Sequence, residues 1–175
     1  MNIFITYGTI DFMRKLIEKH PSETMIVMNG EGTSLLLHET NGKTVFQTPR
    51  RYEVIGSSGD LGEDGYFVFN NIPVTDEGRP VFEHRFKQRA GAIDSEPGFI
   101  AFRLLRPLDS STYIVLTQWE NQASFKKWEN SAAFEQAHAK NDDAPGVNKA
   151  PQIFASASYV TSYQTAKRKE DEEKT

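Results

Sequence analysis

The chain of 175 residues contains no cysteine. That absence excludes disulfides, thiolate ligation of a metal or cofactor, iron–sulfur clusters and a cysteine nucleophile. Any metal must therefore be held by histidine or carboxylate. Long apolar runs are also missing: those present, such as 35–37 and 114–116, are of strand length, and the opening MNIFITYGT has no basic leader ahead of an apolar stretch. No membrane span and a cytoplasmic location are the expectation. Only four histidines occur, and no two have HxxxH spacing, so a zinc or di-iron site has no support. No glycine-rich flavin or nicotinamide fingerprint is found. Cationic excess is lacking as well. Eight of the last nine residues, KRKEDEEKT, are charged, four basic and four acidic, so the net charge of −4 belongs to the remainder. A nucleic-acid partner is disfavoured, and residues 167–175 read as a solvated, disordered tail.

With 38% hydrophobic residues the chain can bury a real core. Ile3 and Ile5 alternate with Phe4 as in a half-buried strand. A helix carrying Met13, Leu16, Ile17 and His20 follows and stops at Pro21. Strands are expected at 24–28, 34–38 and 45–47, divided by Asn-Gly turns. The stretch GSSGDLGEDG, 56–65, reads as a linker. Beyond it come a strand (66–75), a helix (78–90), two strands (99–105 and 113–119), a helix (122–140) and a last strand (157–164). This β-α-β-β-α-β order predicts an α+β, ferredoxin-like domain with both helices on one face of an antiparallel sheet. The first unit, residues 1–60, reads as an abbreviated copy, so that the two units, 1–60 and 66–166, form a pseudo-dimer within one chain. A monomer is expected.

Candidate functional residues concentrate in the second unit. His138 lies ten residues after Trp128, between Ala137 and Ala139, in a segment of helical pattern. Small neighbours leave room beside the imidazole for a large flat ligand, and an indole can wall it; haem is the obvious candidate, and ordinary packing is the alternative. His20, His38 and His84 each have a simple structural explanation. Asn70 projects with Val68 and Ile72, while Phe67, Phe69 and Asn71 face the other way. Burying its amide unpaired costs about 1–3 kcal/mol, so water, protein or a ligand must satisfy it. A one-residue slip would put Asn71 in its place. Phe82, Arg85, Phe86 and Arg89 form one helical stripe suited to a carboxylate-bearing aromatic ligand, although arginine stems also snorkel over a core edge. Trp119 is expected in the core.

The runs NNIPVT from Asn70, FxxRFxxRAG around 82–91, EPGF at 96–99 and LTQWENQASFKKWENSAAFEQAH together resemble the IsdG-type haem-degrading branch of the antibiotic biosynthesis monooxygenase family. The resemblance covers nearly everything except the charged tail. It implies a dimeric α+β barrel fold and places the family's catalytic asparagine, tryptophan and iron-ligating histidine on Asn70, Trp128 and His138. It further implies that haem b, both cofactor and substrate, binds between helices and sheet, with Arg85, Phe86 and Arg89 among its contacts. His138 is then the metal ligand, Asn70 a distal hydrogen-bond donor, and Trp128 a wall that distorts the macrocycle. O2 and an external reductase or reductant complete the reaction, which releases iron. Two alternatives are a haem-independent monooxygenase of the same family and a signalling or stress-response interaction protein.

Overall fold

Period-two alternation decides how this chain folds, because strand after strand carries apolar residues on both faces. The computed structural model describes residues 1–87, 93–131 and 153–165. Its elements are β1 (Asn2–Tyr7), α1 (Ile10–Lys19), β2 (Thr24–Gly30), β3 (Ser34–Thr40), β4 (Arg50–Ser58), β5 (Tyr66–Pro73), α2 (Arg79–Lys87), β6 (Phe99–Pro107), β7 (Thr112–Trp119), α3 (Gln122–Glu129) and β8 (Tyr159–Thr165). The strands close into one antiparallel barrel in the order β1-β3-β2-β8-β5-β7-β6-β4, with β4 returning to β1. No helix among the described residues is long and apolar enough to cross a membrane.

The expected internal repeat is visible in this order. The first half contributes β4-β1-β3-β2 and the second β8-β5-β7-β6, the same fourth-first-third-second arrangement twice. The halves join at two seams, β2 with β8 and β4 with β6. Ile3, Ile5, Ile26, Met28, Leu35 and Leu37 of the first half meet Phe67, Phe69, Leu105, Ile114 and Leu116 of the second in one interior cluster. Outside the barrel, α1 lays Leu16, Ile17 and the fully buried Met13 over Phe4, Met25 and Leu36. The helix starts where Thr9 accepts a hydrogen bond from the Phe12 amide (3.2 Å) and ends before Pro21, as its sequence predicts. Helices α2 and α3 cover the outer face of the second half. In the first half, residues 41–49 stand where a second helix would and insert Phe46 into the α1 cluster.

Three expectations need correction. The strand anticipated at 45–47 does not form; the fourth strand of the first half is β4. Consequently Gly56, Ser57 and Ser58, read as linker, are strand residues paired with Leu104, Arg103 and Phe102. Gly59 ends β4 at φ +69°, where an added Cβ would lie 2.2 Å from the Ile100 carbonyl oxygen, so a glycine is required there. Finally, α3 ends at Glu129 with Asn130 as its C-cap, short of the helix expected to run on to residue 140; residues 132–152 lie outside the described residues.

Two polar arrangements hold the first half. His38 is fully buried on β3 between Phe4 and Phe46, with Nε2 2.8 Å from Glu23 Oε2 and Nδ1 3.0 Å from Thr44 Oγ1. It is a satisfied core histidine, as expected of it. Arg103 enters the barrel from β6 and donates from Nε to Glu39 of β3 at 2.8 Å, while its Nη1 donates to the Gly59 (2.8 Å) and Phe102 (2.8 Å) carbonyls. Both side chains of this pair are nearly excluded from water. Removing one member leaves an uncompensated buried charge. Arg103→Met should therefore lower the unfolding free energy by about 3–5 kcal/mol in chemical denaturation, and adding Glu39→Leu should recover most of that loss.

Candidate functional site

β5 is the central strand of the second half, hydrogen-bonded to β7 on one side and β8 on the other. Each of its residues is buried except one, the half-buried Asn70. Phe67 and Phe69 point into the barrel. The buried Asn71 shares their face, and its Nδ2 donates to the carbonyls of Phe69 (3.1 Å) and Tyr159 (3.2 Å) and to Thr161 Oγ1 (3.2 Å). Asn70 faces outward with Val68 and Ile72, and its amide makes no side-chain hydrogen bond to the described residues. Its cross-strand neighbours are the half-buried Val115 and Val160, the latter 61% exposed. The two adjacent amides thus have different environments: Asn71 is consumed by structure, whereas Asn70 stands on an apolar surface open toward β8.

Two aromatic clusters flank Asn70 on this outer face. On the Val68 side, Tyr66, the fully buried Trp119 and Phe125 pack together with the half-buried Trp128 of α3. The indoles of Trp119 and Trp128 lie 5.6 Å apart, and Trp119 Nε1 donates to Thr117 Oγ1 at 3.0 Å. Trp119 is core, as expected, and serves as the platform on which Trp128 rests. Asn121 sets α3 in place by accepting from the Ser124 amide at 2.9 Å. On the Ile72 side, Phe82, Phe86, Phe102 and Tyr113 form the second cluster, in which Phe86 stacks on Phe102 at 5.8 Å and 10°. Arg85 points away from this cluster and is exposed. Arg89 and His138 lie outside the described residues. No group of three or more metal-ligating side chains occurs among the described residues. The structure therefore brings Asn70, Trp128 and Phe86 to one face and leaves Arg85 at its margin.

Beneath α2 lies a polar hub that the sequence reading missed. Glu83 accepts from Arg106 through Nε (3.1 Å) and Nη2, and from the Tyr113 hydroxyl. Arg79 donates from Nε to the same hydroxyl (3.2 Å) and from Nη2 to the Pro107 carbonyl (2.6 Å). Arg106 also reaches Glu53 of the first half at 3.2 Å. A signal was available: Arg79, Glu83 and Phe86 fall at i, i+4 and i+7, so the carboxylate shares a helix face with a core aromatic. The hub fixes α2 on the sheet and with it the Phe86 wall.

Residues 65–140, which hold β5 to α3 and with them Asn70, Phe86 and Trp128, match the family described as antibiotic biosynthesis monooxygenase (ABM). Two curated relatives carry different descriptions. The chain is 24% identical over 141 residues to signal transduction protein TRAP of Staphylococcus epidermidis, spanning 81% of this chain and 84% of the relative. It is 26% identical over 123 residues to a protein of Listeria monocytogenes named "Heme-degrading monooxygenase", spanning 70% of this chain and 74% of the relative. Among solved structures, one described as a major regulator of staphylococcal pathogenesis superposes with a TM-score of 0.83 at 23% identity, covering 95% of this chain and all (100%) of that one. A heme-degrading enzyme from Listeria monocytogenes superposes with a TM-score of 0.70 at 20% identity, covering 95% and 100%. These superpositions establish the ferredoxin-like, barrel-forming fold.

Within residues 65–140, electrostatics concentrates at the hub rather than at Asn70. Hydrogen bonding from Arg106 holds the Glu83 carboxyl below its ordinary value, against the opposing effect of burial. Desolvation raises the Tyr113 hydroxyl, and its bond to Glu83 adds to this. Because the folded state binds the Glu83 proton more weakly than the unfolded chain does, its stabilisation is complete above the unfolded carboxylate value near 4.5 and is lost as pH falls through the depressed folded value. Glu83→Gln should lower stability at pH 7 and flatten the acid limb below about pH 4.5, as read from denaturation midpoints measured across pH.

Proposed function

We propose that the chain binds haem b against the outer face of β5 and opens the macrocycle oxidatively, using O2 and electrons from an external reductase or reductant, with release of iron. Asn70 is the observation that carries this reading. A half-buried amide with no side-chain hydrogen bond to the described residues, set in an apolar surface between two aromatic clusters, suits a large flat ligand that is apolar over its area and polar at its centre. On that surface Val68, Ile72, Val115 and Val160 supply apolar contact and Asn70 a single donor. The curated Listeria relative named for haem degradation adds support.

Haem, as substrate and cofactor together, supplies the iron at which oxygen is reduced. The chain's own residues have separate tasks. Asn70 would donate a hydrogen bond from Nδ2 to the bound ligand, the Trp128 indole, backed by Trp119, would wall it on one side, and Phe86 would form an apolar edge. His138 would hold the iron through a neutral imidazole, and Arg85 and Arg89 would meet carboxylates. In this reading residues 66–166 are the haem domain, residues 1–60 complete its barrel in place of a second copy, the protein works as a cytoplasmic monomer, and residues 167–175 are a solvated tail.

A second reading, a signalling protein, is favoured by the TRAP relatives, whose match covers more of both chains. Titration of the purified protein with haemin, followed by ascorbate in air, separates the two. The expected result is a saturating Soret shift at one haem per chain and loss of the Soret band on reduction, with an opened tetrapyrrole found by mass spectrometry. Haem that binds but persists under reductant would favour the binding or signalling reading, and the absence of any Soret shift would end the haem proposal. His138→Ala should abolish the ligand-field bands of the ferric complex. Asn70→Ala should retain haem while slowing ring opening by about a hundredfold, the scale of losing one oriented donor.

A further inference from the structure

Four of the six tyrosines in the chain converge on one mouth of the barrel. Tyr7 continues the inward alternation of Ile3 and Ile5 to the end of β1, Tyr52 stands near the start of β4, and Tyr159 and Tyr163 share the inner face of β8. Tyr52 and Tyr163, 3% and 8% exposed, close the interior from above, while Tyr7 and Tyr159, 42% and 53% exposed, form a rim. The floor is built for these rings. Gly30 pairs with Tyr163, and a Cβ there would come within 2.6 Å of the tyrosine ring. The Asn71 amide ties the β8 side by its bonds to the Tyr159 carbonyl and Thr161 hydroxyl.

Into this ring of hydroxyls β4 projects one cation. The Arg50 guanidinium lies 5.1 Å from the Tyr7 ring centroid, yet its side chain is exposed and joins no ion pair among the described residues. Asp109 is the acidic group felt at Tyr52, and its Oδ1 accepts from the Arg51 amide at 3.4 Å. Burial raises the Tyr7 hydroxyl and pushes Tyr52 up to about 12, with Arg50 opposing both shifts, so these two hydroxyls remain protonated donors throughout the neutral range.

We propose that this mouth is a binding site for a small aromatic carboxylate, whose charged oxygens meet the Arg50 guanidinium and the tyrosine hydroxyls while its ring lies against Tyr159. A planar guanidinium with flanking hydroxyl donors matches a carboxylate in geometry as well as charge. An exposed tyrosine ring supplies the apolar face that such an acid carries opposite its charge. One cation and a floor the width of two rings suit a ligand of this size rather than a polyanion. The site opens from the inner side of the sheet, so it is separate from the outer face that presents Asn70.

Calorimetric titration of the full chain with benzoate, and with neutral benzamide as its isostere, tests this. Benzoate should bind saturably at one per chain and benzamide about tenfold more weakly or not at all, the scale of one charge-assisted contact. Arg50→Gln should weaken benzoate about tenfold, and Tyr159→Ala should weaken both ligands, with unchanged thermal midpoints showing that each variant is folded. Tyr159→Phe, which loses only a hydroxyl, serves as the milder variant. Absence of saturable benzoate binding, or binding untouched by Arg50→Gln, would overturn the proposal. So would self-association in sedimentation that Arg50→Gln abolishes in a protein that takes up no benzoate, since the mouth would then be a protein contact.

Discussion

Each half of this chain is a four-stranded sheet with two bare edges, and everything else rests on those edges finding one another. An unpaired strand edge presents a row of amide and carbonyl groups that must be satisfied by water or by another strand. Here β2 takes β8 and β4 takes β6, which leaves the barrel without an edge. Closure also creates the interior: Ile3, Leu35 and Leu37 reach full burial only because Phe67, Leu105 and Leu116 arrive from the opposite half. The buried Arg103–Glu39 pair spans the same two halves and penalises any mispairing that would leave either charge alone. By contrast, Glu53 and Arg106, directly opposed across the β4–β6 seam, are partly exposed and add little.

The candidate site inherits its accuracy from that closure. β5 is buried on both faces and held on both edges, so its register cannot slip without turning Phe67 and Phe69 out of the interior. The fixed register sends Asn71 inward to bind β8 and Asn70 outward to the surface between α2 and α3. The walls on either side of Asn70 are set by different means. Trp128 rests on the buried Trp119, an apolar support, whereas Phe86 is held by a helix pinned through Glu83 to Arg106 and Tyr113.

Much of this was legible in the sequence because it is local. The alternation in β1 and β5, the Pro21 stop of α1, and the β-α-β-β-α-β order of the second half each depend on residues close in the chain. What escaped depends on partners far away. RRYEVIGSS has few apolar residues and its last three read as the start of a linker, but between β1 and β6 its backbone is required as a strand. Arg103 and Glu39, separated by 64 positions, look like two ordinary charges until the barrel brings them together. The Glu83 hub was hidden for the same reason, since Arg106 and Tyr113 lie on two later strands. At the candidate site the alternation grouped Asn70 with Val68 and Ile72 and set Asn71 on the other face, but only the bonds made by Asn71 distinguish the two amides physically.

The peptide linkage between the halves has one more consequence. A barrel assembled from two separate copies obeys mass action and comes apart on dilution, whereas here the loop from Ser58 to Tyr66 holds the second sheet at a high effective concentration near the first. Integrity of the fold is thereby uncoupled from how many molecules the cell makes. The two sheets are also released from the obligation to be identical, and the first has exchanged a helix for the short stretch carrying Phe46.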